Sequence, residues 1–241
     1  MNAISNFMAY EICEGLDELN RDNDVGAIVI TGEGRAFCSG ADVSRFEESV
    51  ASKDGAEVQA PRRPRINWIQ QVRSGKPVIC AINGPCIGAG MTRTLPCDIR
   101  IASERATFSM RFVRVGIAPE IASTQILPQL VGLQHAADLM LSGRTIDAAE
   151  ALRLGIVLKT VPHDSLLATA IELGSEYAEI GPTMLRETKA LLYQNSVEQD
   201  ISLVQQREGQ AIARCTGSAE QREALAAFRE KRKPDFRKLR A

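Results

Sequence analysis

Long apolar runs and histidine are what this sequence has least of. No stretch of its 241 residues approaches ~20 consecutive apolar positions, so no membrane-spanning helix is expected. The opening residues, MNAISNFMAYEICEGLDELNRD, lack a basic stretch followed by an apolar one, so no secretory signal is expected either. Only two histidines occur and no cysteines are spaced C-x-x-C, which leaves a zinc site without ligands. The six cysteines, Cys13, Cys38, Cys80, Cys86, Cys97 and Cys215, then read as reduced intracellular thiols in a cytoplasmic protein. Charge of neither sign dominates. Lys plus Arg is 29 and Asp plus Glu is 30, a net charge of −1, so nothing in the overall electrostatics favours nucleic acid or an anionic membrane as partner. What remains, 44% hydrophobic and 24% charged residues, suits a globular chain long enough to bury a core.

Met8, Ile12, Leu16 and Leu19 fall at helical spacing behind Ser5, a possible N-cap. VGAIVI (25–30), PVICAIN (77–83), residues 99–102 and IVLKTV (156–161) read as strands. A polar stretch over 44–65, containing PRRPR, reads as a loop or short helix. A short helix is expected to end near Pro96, and another to stop at Gly155. Beyond Pro119 the chain turns mostly helical. Three or four helices over roughly 165–230 are punctuated by Gly181-Pro182, Asn195 and Gly217-Ser218. Strands first and helices afterwards indicate an α/β core followed by a helical segment.

Two glycine-containing segments each follow a strand and open a helix. GPCIGAG (84–90) has the setting of a dinucleotide-binding turn but lacks its third glycine and its ribose-binding acid, so a nicotinamide site is not expected. The segment reads either as a plain tight turn or as a cluster of unobstructed backbone N–H groups. RAFCSGADVSRF (35–46) places a second small-residue turn, Ser39-Gly40-Ala41, in the same setting. Two such turns could aim two amides at one carbonyl oxygen, which is an oxyanion hole.

These segments, with CDIRIASERATF, VGLQHAADLMLSGRTIDAAEALRLGIV and AFREKRKPDF, resemble the crotonase superfamily of enoyl-CoA hydratases and isomerases over nearly the whole chain. The resemblance implies an α/β fold, with a crotonase-like ββα spiral core over 1–165 and a C-terminal helical trimerisation region over 166–241. It implies an acyl-CoA thioester as substrate, with coenzyme A entering only as part of that substrate and no further cofactor or metal. The donors to the thioester oxygen would be the amides of Ser39 and Ala89. Ala41, Asp42, Gly88 and Phe112 would border the substrate, and Phe228 and Lys231 of the basic tail would meet its CoA moiety. Arg62, Arg63 and Arg65 offer a further phosphate contact. The family assembles as homotrimers that can pair into hexamers. Its members begin with a strand or hairpin upstream of an Asn-Ala-Ile/Leu-Ser segment. This sequence opens on that segment, Met1 to Ser5, so the first strand is expected to be missing.

Hydratases of this family hold water between two glutamates. The matching positions here carry Thr92 and Phe112, neither of which can act as a base. Glu120, in VGIAPEIAST, replaces them. Pro119 as the first helical residue would put Glu120 on the first turn of a helix. The form G-x-x-P-E resembles single-glutamate enoyl-CoA isomerases, in which one carboxylate carries a proton from C2 to C4. Without the resemblance, Glu120 reads as an acid complementing a helix dipole. Asp42 reads as a cap or brace for its turn, His135 as a surface or core-edge residue on a helix, and Cys38 and Cys86 as small fillers, since no histidine is placed to activate them. The expectation is an enoyl-CoA isomerase. A hydratase or other enolate-forming enzyme is the first alternative, and a non-catalytic CoA-binding or assembly protein the second.

Overall fold

A computed structural model describes residues 1–42 and 67–239. The polar stretch 44–65 and its arginines lie outside the described residues. In chain order the elements are α1 (Asn6–Arg21), β1 (Ile28–Thr31), α2 (Trp68–Ser74), β2 (Val78–Ile82), β3 (Cys86–Ile87) and α3 (Ala89–Thr94). Next come β4 (Ile99–Ser103), β5 (Thr107–Ser109), a 3₁₀ turn (Arg111–Val115), α4 (Ser123–Val131), α5 (Leu133–Ser142), β6 (Thr145–Asp147), α6 (Ala148–Leu154) and β7 (Lys159–Val161). Four longer helices follow: α7 (Leu166–Ala178), α8 (Pro182–Asn195), α9 (Ile201–Cys215) and α10 (Ala219–Glu230).

Most of these starts and stops have the causes read from the sequence. Ser5 Oγ accepts the Met8 amide at 3.1 Å and caps α1. Gly155 ends α6 in the left-handed conformation at φ 83°. Pro182 opens α8 as its first residue. The helix expected at Pro119 begins instead at Ser123, because Ile121 (φ 55°) and Ala122 (φ 48°) are both left-handed. Neither can join a right-handed helix, so Glu120 sits ahead of α4 rather than on its first turn.

The strands β1-β2-β4-β7 form a parallel sheet in that order, and β3-β5-β6 a smaller mixed one. β2 is buried at every position, as a central parallel strand covered on both faces must be. Its side chains alternate between two cores. Val78, Cys80 and Ile82 join the large cluster, while Ile79 and Ala81 pack with Ile101 of β4 and with Leu166 and Ala170 of α7. Each large aliphatic side chain buried this way contributes roughly 1.5–3 kcal/mol. The helix α7 covers this sheet, since its small residues, Ala170 and Gly174, let it lie directly on the strands.

A buried polar group ties α8 to the same core. Lys189 Nζ donates to Asp98 Oδ2 at 2.7 Å and to the Lys76 carbonyl at 2.8 Å. Asp98 also accepts from the Val78 amide and the Tyr193 hydroxyl, each at 2.7 Å. Burial lowers the Lys189 pKa and Asp98 opposes that shift. Lys189→Met keeps the volume and removes the cation. Breaking a buried pair costs about 3–5 kcal/mol, but two donors to Asp98 remain, so we expect a loss of about 2 kcal/mol. An unchanged urea midpoint would show that the pair contributes nothing net.

Candidate active site

Two turns meet beyond the C-terminal ends of the parallel strands β1 and β2, where ligands collect in sheets of this kind. Asn83, the first residue after β2, binds the turn that follows β1. Its Nδ2 donates to the carbonyls of Gly32 (3.0 Å) and Gly34 (2.8 Å), and its Oδ1 accepts the Gly32 amide at 3.2 Å. The Phe37 and Cys38 amides both donate to the Pro85 carbonyl, at 3.1 and 2.9 Å, and the Ile87 amide returns to the Cys38 carbonyl at 2.9 Å. Cys38 and Cys86 become bridge partners, which sets residues 38–40 alongside 86–90. The contact is close. A Cβ on Gly90 would stand 2.6 Å from Cys38 Cβ and 2.8 Å from its carbonyl oxygen, so only glycine fits. Gly88, at φ 52° and ψ −117°, makes the reversal that starts α3, and its own amide is spent on the Ser109 carbonyl at 2.8 Å.

The sequence reading expected free amides at Ser39 and Ala89. Ala89 opens α3 and is buried, and among the described residues its amide has no backbone acceptor. Ser39 differs. Its amide donates to the Met1 carbonyl at 3.0 Å. The first residues cross this turn because Asn2 Nδ2 donates to the Glu33 and Ala36 carbonyls at 3.0 and 2.8 Å, and Ile4 pairs with Ala41. Asp42 donates its amide to the Ile4 carbonyl at 3.2 Å.

Thr92 and Phe112, the residues at the hydratase carboxylate positions, are both buried. Thr92 turns its hydroxyl back to the Ala89 carbonyl at 3.2 Å, so it is bonded within its own helix. Glu120 is exposed, and its carbonyl accepts the Ser123 amide at 3.1 Å. Burial pushes the Cys38 and Cys86 thiols up, which suits inert fillers and not nucleophiles.

Much of the basic tail is neutralised within the chain. Arg232 pairs with Glu223 and Glu230, Lys233 with Glu179, and Lys238 with Asp235. The Arg232 guanidinium draws Glu223 down to about 2. Lys231 ends α10 in a left-handed conformation, with no ion pair among the described residues, and Phe228 beside it is 83% exposed.

Sequence reasoning missed Arg100. Buried in β4, it donates from Nε to the Ile156 carbonyl at 2.7 Å and from Nη1 to the Thr94, Leu95 and Cys97 carbonyls at 3.1, 3.2 and 2.7 Å. It closes the C-terminal end of α3 and so holds the helix that carries Ala89. A charged residue inside the apolar run IRIA was the available signal.

Residues 1–239 match the family model described as enoyl-CoA hydratase/isomerase. The chain is 33% identical to a 2,3-dehydroadipyl-CoA hydratase of Escherichia coli, over 98% of this chain and 90% of that protein. It is 32% identical to a short-chain-enoyl-CoA hydratase of Clostridium acetobutylicum, over 97% and 88%. A crystal structure of an enoyl-CoA hydratase from Bacillus anthracis superposes with a TM-score of 0.86 at 32% identity, covering 98% of this chain and 90% of that one.

Proposed function

Because the chain belongs to the enoyl-CoA hydratase/isomerase family, we propose that it binds an enoyl-CoA thioester and moves its double bond through an enolate, with Glu120 as the base. The observation that carries this reading is the amide of the buried Ala89, which has no backbone acceptor among the described residues and lies on the helix packed against the turn that holds Ser39. A thioester oxygen placed there takes the Ala89 N–H directly and the Ser39 N–H on displacing the Met1 carbonyl. Charge leaving C2 as its proton is removed then collects on an oxygen held by fixed donors. Glu120 takes that proton and returns it at C4, two carbons away. With Thr92 self-bonded and Phe112 apolar, neither hydratase position offers a base to activate water.

Hydration is the second reading, favoured by the names of the relatives, which are hydratases. In it Glu120 activates water with a different partner. Incubation with 3-hexenoyl-CoA and 2-hexenoyl-CoA in deuterated water separates the two. Isomerisation puts solvent deuterium into a product of unchanged carbon skeleton. Accumulation of 3-hydroxyacyl-CoA would replace the first reading with the second, and no turnover with either thioester would overturn both.

The proposal extends to assembly. Leu133 and Leu141 of α5 and Phe228 of α10 are 76%, 77% and 83% exposed, which suits faces covered by other copies of the chain. We expect a homotrimer or a hexamer in sedimentation equilibrium. A monomer at micromolar concentration would contradict this and would remove any role for the tail in a neighbouring subunit.

A further inference from the structure

Arg93 is a half-buried cation with no ion pair among the described residues. Its Nε and Nη1 are themselves shielded from solvent and have no hydrogen-bond partner among the described residues, which leaves three of the five guanidinium donors unused. The guanidinium lies over the Trp68 ring, 5.2 Å from its centroid, and the Trp68 Nε1 donates to the Arg93 carbonyl at 3.0 Å. Among the described residues its charge acts on the thiols of Cys13, to which it also hydrogen-bonds, and Cys38, and burial pushes both up, so neither is an anion near neutral pH. Asp17, one turn along α1 from Cys13, is paired with Arg21 at 3.9 Å. Arg100, six residues beyond the end of α3, is buried and well bonded, so this fold does satisfy an interior arginine where the role is structural. Guanidinium donors shielded from water and left unpaired, as Nε and Nη1 of Arg93 are, are costly unless an acceptor completes them.

Its position indicates which anion. Arg93 follows Ala89 by four residues on α3, so the two share a helix face one turn apart. Its charge is felt at Cys38, the residue before Ser39. We propose that Arg93 receives a carboxylate carried on the acyl group of the substrate, so that the preferred thioesters are CoA half-thioesters of dicarboxylic acids. This rests on the acyl-CoA reading given above and adds the substrate class to it. A planar guanidinium with adjacent free donors matches a carboxylate bidentately, and the pair is strongest away from water.

Trp68 is the only tryptophan in the chain, so its fluorescence reports on Arg93 without any need for turnover. Wild-type protein is titrated with succinyl-, glutaryl- and adipyl-CoA and with the uncharged butyryl-, valeryl- and hexanoyl-CoA of matching length. At least one dicarboxylic thioester is expected to bind about 10–100-fold more tightly than its match, the range for a buried charged hydrogen-bonded pair. Arg93→Gln should bring the dicarboxylic series down to the level of the uncharged one. Arg93→Lys, which keeps the charge and loses the fork, should retain part of the preference. Equal affinities for the two series in wild type would overturn the proposal while leaving the acyl-CoA reading in place. Binding of neither series would overturn both. A response to free adipate as strong as that to adipyl-CoA would make Arg93 a general anion site and overturn its assignment to the acyl chain.

Discussion

Glu120→Gln is expected to lower isomerisation of a 3-enoyl-CoA by about 10²–10⁴, the range supplied by a positioned general base. The side chain keeps its shape and loses only the ability to take a proton. Thr92 and Phe112 occupy the places where a second carboxylate would otherwise compensate, and both are buried without acidic function. CoA affinity should change little, because the proposed thioester contacts are backbone amides on a separate turn. The backbone around Glu120 should also hold, since its conformation is set by the left-handed pair Ile121 and Ala122 and by the carbonyl bond to Ser123. Solvent deuterium entering the product should slow in step with turnover. A variant that isomerises at the wild-type rate would reduce Glu120 to an exposed loop residue and remove the base from the mechanism.

Gly90→Ala should cost about 10² in turnover by a different route, through misplacement of the oxygen-binding turn by about an ångström. The added Cβ would stand 2.6–2.8 Å from the Cβ, carbonyl oxygen and Sγ of Cys38. Two of those atoms belong to the turn's rigid part, so the turn has to move away from α3. The Ser39 and Ala89 amides, proposed above to meet one oxygen, would then be moved apart. Overpacking of this size also destabilises by about 1–3 kcal/mol, so activity is compared at a temperature where the variant is fully folded by circular dichroism. Gly15→Ala is the control. Its Cβ meets nothing within 4 Å on α1, and alanine there should stabilise the helix by up to ~1 kcal/mol without touching the rate. Wild-type turnover in folded Gly90→Ala would mean that the two turns do not act together on one oxygen.

Local structure was legible wherever its cause was local. The Ser5 cap, the left-handed stop at Gly155, the apolar strand VICAI and the four helices after residue 165 all follow from neighbouring residues, and the structure has each of them. The pairing of the 38–40 and 86–90 turns was legible as well, because small residues in two strand-to-helix turns announce a close approach. Strands of two or three residues, β3, β5 and β6, left too short a pattern to read from periodicity. The α4 start was misplaced because proline at 119 is only permissive for a helix, while the left-handed backbone of Ile121 and Ala122 is imposed from outside, in part by the packing of Ile121 on the large core. What the sequence by itself determined is therefore the longer strands and helices, the two turns and the absence of carboxylates at positions 92 and 112. Only the tertiary structure decided that the Ser39 amide is held by the Met1 carbonyl, that Arg100 closes α3, and that Arg93 lies over Trp68 with its Nε and Nη1 unpartnered among the described residues. Each of these joins groups from distant parts of the chain, and whether a buried polar group is satisfied depends on which neighbours folding brings to it.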